Sequence, residues 1–280
     1  MKKKPSFTVK SIFIAGLCTA LFSCNRQSVT DDTASITNDD NSAENAFYDL
    51  KVAGDAAGTD ATSTQKSIEK GLKKDSCVTV KFINFDTISK SGKLQLDFGS
   101  SNCPCEDGKN RKGKIEVEYK PVKGIIGSEV IYTPDQYFVN DFGVSGKKSV
   151  KITAPYTWTI KVENGVVTKP DGKTVTWSSD RVRKMVSGMN TPLNFTDDSF
   201  EVTGTSSGKN SAGNDYSFET ETPLLFSYGC QYISSGKLKI KRSGKKDAVV
   251  DYGDGTCDDK GTVTVGTWSK EITLKGKLAK

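Results

Sequence analysis

The chain has 280 residues, with 40 Lys and Arg against 34 Asp and Glu, a formal charge of +6, and no histidine. Four of those lysines fall within residues 1–23, and subtracting them from +6 leaves about +2, which argues against nucleic acid as a partner. The missing histidine takes away the usual proton shuttle near neutral pH, the commonest metal ligand, and every Ser-His or Cys-His nucleophile pair.

Lys2, Lys3, Lys4 and Lys10 give the leader a basic start, Ile12 to Phe22 an apolar run, and Leu21-Phe22-Ser23-Cys24 closes it. The run is too short to cross a hydrocarbon core of ~30 Å as a mature helix, and Cys24 stands where a lipobox places the cysteine that is acylated and becomes N-terminal. Residues 1–23 are read as a lipoprotein signal peptide, and Cys24 as the palmitate-bearing anchor to an envelope membrane. Asn25 is not the aspartate that retains many lipoproteins at the inner membrane. The expected address is the outer membrane, on either face.

Residues 24–40 are polar and acidic, with Asp31, Asp32, Asp39 and Asp40, and read as a flexible tether. Residues 41–74 form a helical segment. Asn41 or Ser42 can cap, Glu44 suits a first turn, and Ala46, Phe47, Leu50 and Ala53 share one face, which predicts a helix at roughly 42–57. A further helical turn is expected around Lys66 to Leu72. A helix this short is marginal alone, so Phe47 and Leu50 should dock on the main domain.

From residue 75 to 280 the period is 2. Tyr156, Trp158, Ile160 and Val162 alternate with polar residues, as do Leu238 and Ile240, Val263 and Val265, and Ile272 and Leu274. Asn164-Gly165, Pro170-Asp171-Gly172, Ser207-Gly208-Lys209-Asn210 and Ser243-Gly244-Lys245-Lys246 read as turns between strands. The dispersed lysines read as solvated strand faces. The expected fold is all-β: one extended antiparallel meander of about twelve to fourteen strands, with one short N-terminal helix docked on it; the pattern leaves open whether the sheet stays open and curved or rolls into a half-barrel or sandwich.

The cysteines repeat in a module. Ser91-Gly92-Lys93-Leu94 leads to Asp97-Phe98-Gly99 and then Cys103; Ser235-Gly236-Lys237-Leu238 leads to Asp251-Tyr252-Gly253 and then Cys257. Cys77 and Cys230 precede these at 26 and 27 residues. In an oxidising envelope this spacing predicts the disulfides Cys77–Cys103 and Cys230–Cys257, each worth about 3 kcal/mol in a chain-entropy description. Cys105 is then left over, although Cys77–Cys105 is an alternative pairing. Cys103-Pro104-Cys105 does not offer zinc four ligands at finger-like spacing. Asp251, Asp254, Asp258 and Asp259 form a weak calcium candidate without the fixed spacing of an EF-hand loop, and tight turns explain them better. No cofactor is expected. Gly204-Thr205-Ser206-Ser207-Gly208 matches a hydrolase nucleophile string, but it has no base and sits in β-type sequence.

Asp97-Phe-Gly, Asp107 to Ile115, Trp158 to Gly165, Asp171 to Trp177, Asn194 to Gly204 and Asp251 to Cys257 resemble an uncharacterised bacterial envelope lipoprotein family over roughly residues 43–274. The resemblance implies one continuous domain and paired cysteines, and brings no activity with it. Cys105 is a departure from the family pattern.

Three functions compete. The first is a non-catalytic envelope protein that binds or scaffolds an unidentified envelope protein or glycan. The second is a glycan- or lipid-binding module, for which Tyr119, Tyr132, Tyr137, Phe138, Phe142, Tyr156 and Trp158 supply aromatics; rings lining one concave face would favour it. The third is a glycoside hydrolase using paired carboxylates such as Asp180 with Asp197 or Asp198. The first is preferred, with no catalytic residue assigned.

Overall fold

A computed structural model describes residues 21–58, 77–120 apart from 85, 87 and 90, 125–191 and 194–274. Among the described residues it contains one α-helix, α1 (Leu21–Gly58), a 3-10 turn at Phe195–Asp197, and fourteen strands: β1 (Thr79–Phe82), β2 (Gly92–Asp97), β3 (Cys103–Pro104), β4 (Asn110–Lys120), β5 (Glu129–Val139), β6 (Phe142–Ala154), β7 (Thr157–Thr168), β8 (Thr174–Ser187), β9 (Ser199–Lys209), β10 (Asp215–Ser227), β11 (Ile233–Arg242), β12 (Ala248–Asp254), β13 (Lys260–Val265) and β14 (Trp268–Thr273). All belong to one open antiparallel sheet in chain order, except that β3 pairs with β4 beside the β2–β4 ladder. The all-β meander with one docked N-terminal helix is therefore the fold. Residues 1–20 of the expected signal peptide and the turn expected at Lys66 to Leu72 lie outside the described residues.

Alternation produces the sheet. Along β8, Val175, Trp177 and Ser179 are buried and the residues between them exposed, so one phase of the strand faces α1 and the other faces water. The helix lies across β4 to β8, and the same inward phase of the flanking strands completes the core with Leu94, Leu96, Ile115, Val117, Phe218 and Ile240.

The helix begins earlier than expected. It is 38 residues long, ~57 Å at 1.5 Å per residue, and takes in the stretch 24–40 read as a tether. Asn41 and Ser42 are interior to it, and Ser42 Oγ donates to the Asn38 carbonyl at 2.8 Å instead of capping. Ile36, Ala43, Phe47 and Leu50 recur at helical spacing and are at most 1% exposed. Thr33, Asp39, Asp40 and Asp49 are buried among them. Those polar residues break the apolar stripe, and tertiary partners on the sheet hold a helix that hydrophobic periodicity does not announce.

Two turn assignments also change. Asn164-Gly165 lies inside β7 as a bulge, with Asn164 at φ 51° and the register shifting between Val162 and Gly165. The reason is steric: a Cβ at Gly165 would meet the Trp177 carbonyl and come within 2.9 Å of the Phe47 ring, so only glycine lets α1 approach here. Ser207, Gly208 and Lys209 are the end of β9, and the turn follows at Asn210–Asn214, where Asn210 Oδ1 accepts from the Ala212 and Asn214 amides. Pro170-Asp171-Gly172 and Ser243 to Lys246 do connect strands. Tyr156 sits in the β6–β7 turn at φ 55° and is 49% exposed.

The repeated modules occupy the two ends of the sheet. Cys77–Cys103 and Cys230–Cys257 are both formed, with Cα separations of 5.5 and 5.8 Å. Each joins the chain entering a hairpin, β1–β2 or β11–β12, to the connection that leaves it. The Asp-aromatic-Gly strings match in detail: Asp97 Oδ1 accepts from the Gly99 amide at 2.9 Å and Asp251 Oδ1 from the Gly253 amide at 3.1 Å, while Phe98 and Tyr252 are both buried. Cys105 stands outside both disulfides, buried, its thiol donating to the Cys103 carbonyl at 3.6 Å.

Candidate functional site

The residues singled out by sequence fall in different places. The side chain of Cys24 lies outside the described residues. Asp180 is on the outer phase of β8, where it pairs with Lys161 at 2.8 Å and stands opposite Thr205 of β9. Asp198 adjoins Ser199 at the other end of β9, so about 20 Å of strand separates it from the level of Asp180. The structure therefore does not bring Asp180 and Asp198 together. Asp197 is exposed and accepts from Thr191 Oγ1 at 2.7 Å.

Asp251, Asp254 and Asp258 each bond their own loop amides at Gly253, Thr256 and Lys260, and Asp251 also meets Lys237 at 3.0 Å. Among the described residues no group of three or more His, Cys, Asp or Glu side chains is placed to hold a metal ion. Ser206 is buried in β9, donating to Asp40 Oδ1 at 3.0 Å. Of the aromatic span, Tyr119, Tyr132 and Tyr137 are core residues, Phe142 packs against the core, and Lys112 covers Phe138 at 4.5 Å. Trp158 differs, because it stands on an open strip beside the helix.

Three buried carboxylates of α1 dock the helix on the sheet. Asp49 accepts from Arg111 Nε and Nη2 at 3.1 and 2.7 Å, from Lys109 at 2.6 Å and from the Tyr137 hydroxyl at 2.5 Å. Burial alone would raise its pKa, but Arg111, Lys109 and Tyr137 hold it below the ordinary 3.8. Asp39 behaves likewise, with Lys169 at 2.9 Å and the Ser211 amide and hydroxyl at 2.8 and 2.7 Å outweighing burial. None of these contacts is visible in the alternation pattern, which treats lysines as solvated.

Asp40 goes the other way. Burial pushes its carboxyl up to about 6, against Arg181 at 3.6 Å and hydrogen bonds from Trp177 Nε1 and Ser206, while Glu44 adds repulsion. A folded pKa above the unfolded one penalises the ionised native state, so stability falls as pH rises from about 4 to 6, by an amount on the order of 3 kcal/mol. Asp39 and Asp49, with lowered values, lose their stabilisation only as pH falls below the ordinary carboxylate range. Urea denaturation across acid and neutral pH should show the descent above about pH 4 in the natural chain and a flatter curve there in Asp40→Asn.

Beside the helix, the inward phase of β7, β8 and β9 continues past the core. Trp158 stands opposite Arg183, which stands opposite Val202, and Met185 stands opposite Phe200. All of these side chains are only half-buried. The Arg183 guanidinium lies 3.6 Å from the Phe200 ring centroid, and Trp158 and Phe200 meet at 6.3 Å with their planes 60° apart. Burial pushes the Arg183 pKa below its ordinary value, opposed by the fields of Tyr48, Asp198 and Glu44. Among the described residues it has no hydrogen-bond or ion-pair partner. Arg111 and Arg181, by contrast, are each paired with two carboxylates. Tyr48, 45% exposed on α1, lies near enough for its hydroxyl to act on the Arg183 charge. The signal in the sequence is a pair: Arg181 and Arg183 both fall in the inward phase of β8, in step with Val175, Trp177 and Met185, and the structure gives carboxylate partners to Arg181.

Comparison with protein-family models, curated proteins and solved structures finds no match for this chain.

Proposed function

We propose that this chain is a non-catalytic binding protein of the bacterial cell envelope, held to the outer membrane through lipid on Cys24, with its ligand on the open strip beside α1. The observation that carries this reading is Arg183, whose guanidinium lies over the Phe200 ring on a half-buried aromatic surface and forms no side-chain hydrogen bond or salt bridge among the described residues. The buried acids of α1 are committed to docking the helix, Asp180 is paired with Lys161 on the outer phase of β8, and Asp197 accepts from Thr191 Oγ1, while Asp198 reaches Arg183 through its field. Two disulfides suit an oxidising compartment.

The test is to incubate the full chain with a panel of envelope polysaccharides, following retention and new reducing ends in the same samples. Retention of at least one polysaccharide without release of reducing ends is expected. Release of reducing ends would overturn the non-catalytic reading. Mass spectrometry of the membrane-extracted protein should find acyl chains on Cys24.

A further inference from the structure

Resting on that binding reading, we infer that the strip recognises an acidic saccharide, its carboxylate held by Arg183 and its sugar ring laid against Trp158. A guanidinium stacked on a ring uses its face and keeps its in-plane N–H groups for an acceptor, and the geometry of that fork matches a carboxylate. Trp158 and Phe200 are inclined to one another rather than stacked, which suits the C–H face of a sugar as a further partner. An acyl chain would want an enclosed apolar cavity. This surface is instead a shallow, half-exposed row on three strands, interrupted by a charge. Asp198 and Glu44 act on Arg183 through their fields, but no carboxylate among the described residues forms a salt bridge with it, so its N–H groups remain for a ligand carboxylate.

The experiment is calorimetric titration of a galacturonic acid trimer into the full chain in detergent, beside a neutral galactose trimer and laurate. The uronate should bind, more weakly as salt rises, and the neutral trimer at least about tenfold more weakly. Arg183→Gln and Trp158→Ala should each lose at least about tenfold in uronate affinity. Arg183→Lys, which keeps the charge without the fork, should fall between, and it serves as the control if Arg183→Gln lowers the unfolding midpoint. Equal affinity for the neutral trimer, an unchanged affinity in Arg183→Gln, binding of laurate alone, or no binding at all would each sink the acidic-saccharide assignment. Reducing ends followed in the same samples separate the two failures: their release overturns the non-catalytic reading, whereas absent uronate binding without release removes the ligand class alone.

Discussion

Asp49→Ala should destabilise the protein by about 3–5 kcal/mol, read as a drop in the urea midpoint at neutral pH. The magnitude follows from what remains. Arg111 has a side chain only 5% exposed and would keep only Asp107, itself 38% exposed, while Lys109 and the Tyr137 hydroxyl would lose their acceptor. An uncompensated buried cation costs more than the pair was worth, so the loss measures the orphaned charge as well as the bond. Asp49→Leu combined with Arg111→Met should recover most of the loss, because it removes both charges. If the double variant is no better than Asp49→Ala, the network matters through its shape and not its charge. Acid should reproduce part of the effect, since the Asp49 carboxylate stabilises the fold above the unfolded pKa and ceases to do so as pH falls through its lowered folded value.

Phe47→Ala should cost about 3–5 kcal/mol in the same measurement. The ring is fully buried, 5.6 Å from the Trp177 ring centroid, and the backbone of β7 closes under it at Gly165. That backbone belongs to a sheet fixed by ladders on both sides, so it has little freedom to collapse into the space vacated. Phe47→Leu should lose less than half as much. A small effect of the alanine variant would mean that α1 is held chiefly by its carboxylates.

The sheet is legible in the sequence because alternation is a direct consequence of one wet face and one dry one: Val162, Leu238, Ile240 and Val263 are buried in the phase that the pattern assigns inward. The disulfides are legible because two similar modules repeat with similar cysteine separations. The start of α1 is not, since Asp39 and Asp40 look like solvent-facing residues until Lys169, Ser211, Trp177 and Ser206 are brought to them from more than a hundred residues away. Asn164-Gly165 misleads for a related reason: the same residue types that make a hairpin turn also make a bulge, and Phe47 decides which. The open strip joins three strands through register, which a linear pattern does not contain. Its visible mark is two arginines, Arg181 and Arg183, in the inward phase of β8, and sequence does not tell which of them the helix acids take.

The order in which the chain is made gives α1 a particular problem. Thr33 receives its bond from Arg242, 209 residues later, and Asp40 meets Ser206 after 166. The helix thus leaves the ribosome before the strands it docks on and must wait for nearly the whole sheet, a high-separation topology of the kind that folds slowly. Carboxylates on its inward side keep that waiting segment hydrated and less adhesive than a fully apolar stripe would be, so residues that look costly in the finished core guard the chain while it is incomplete.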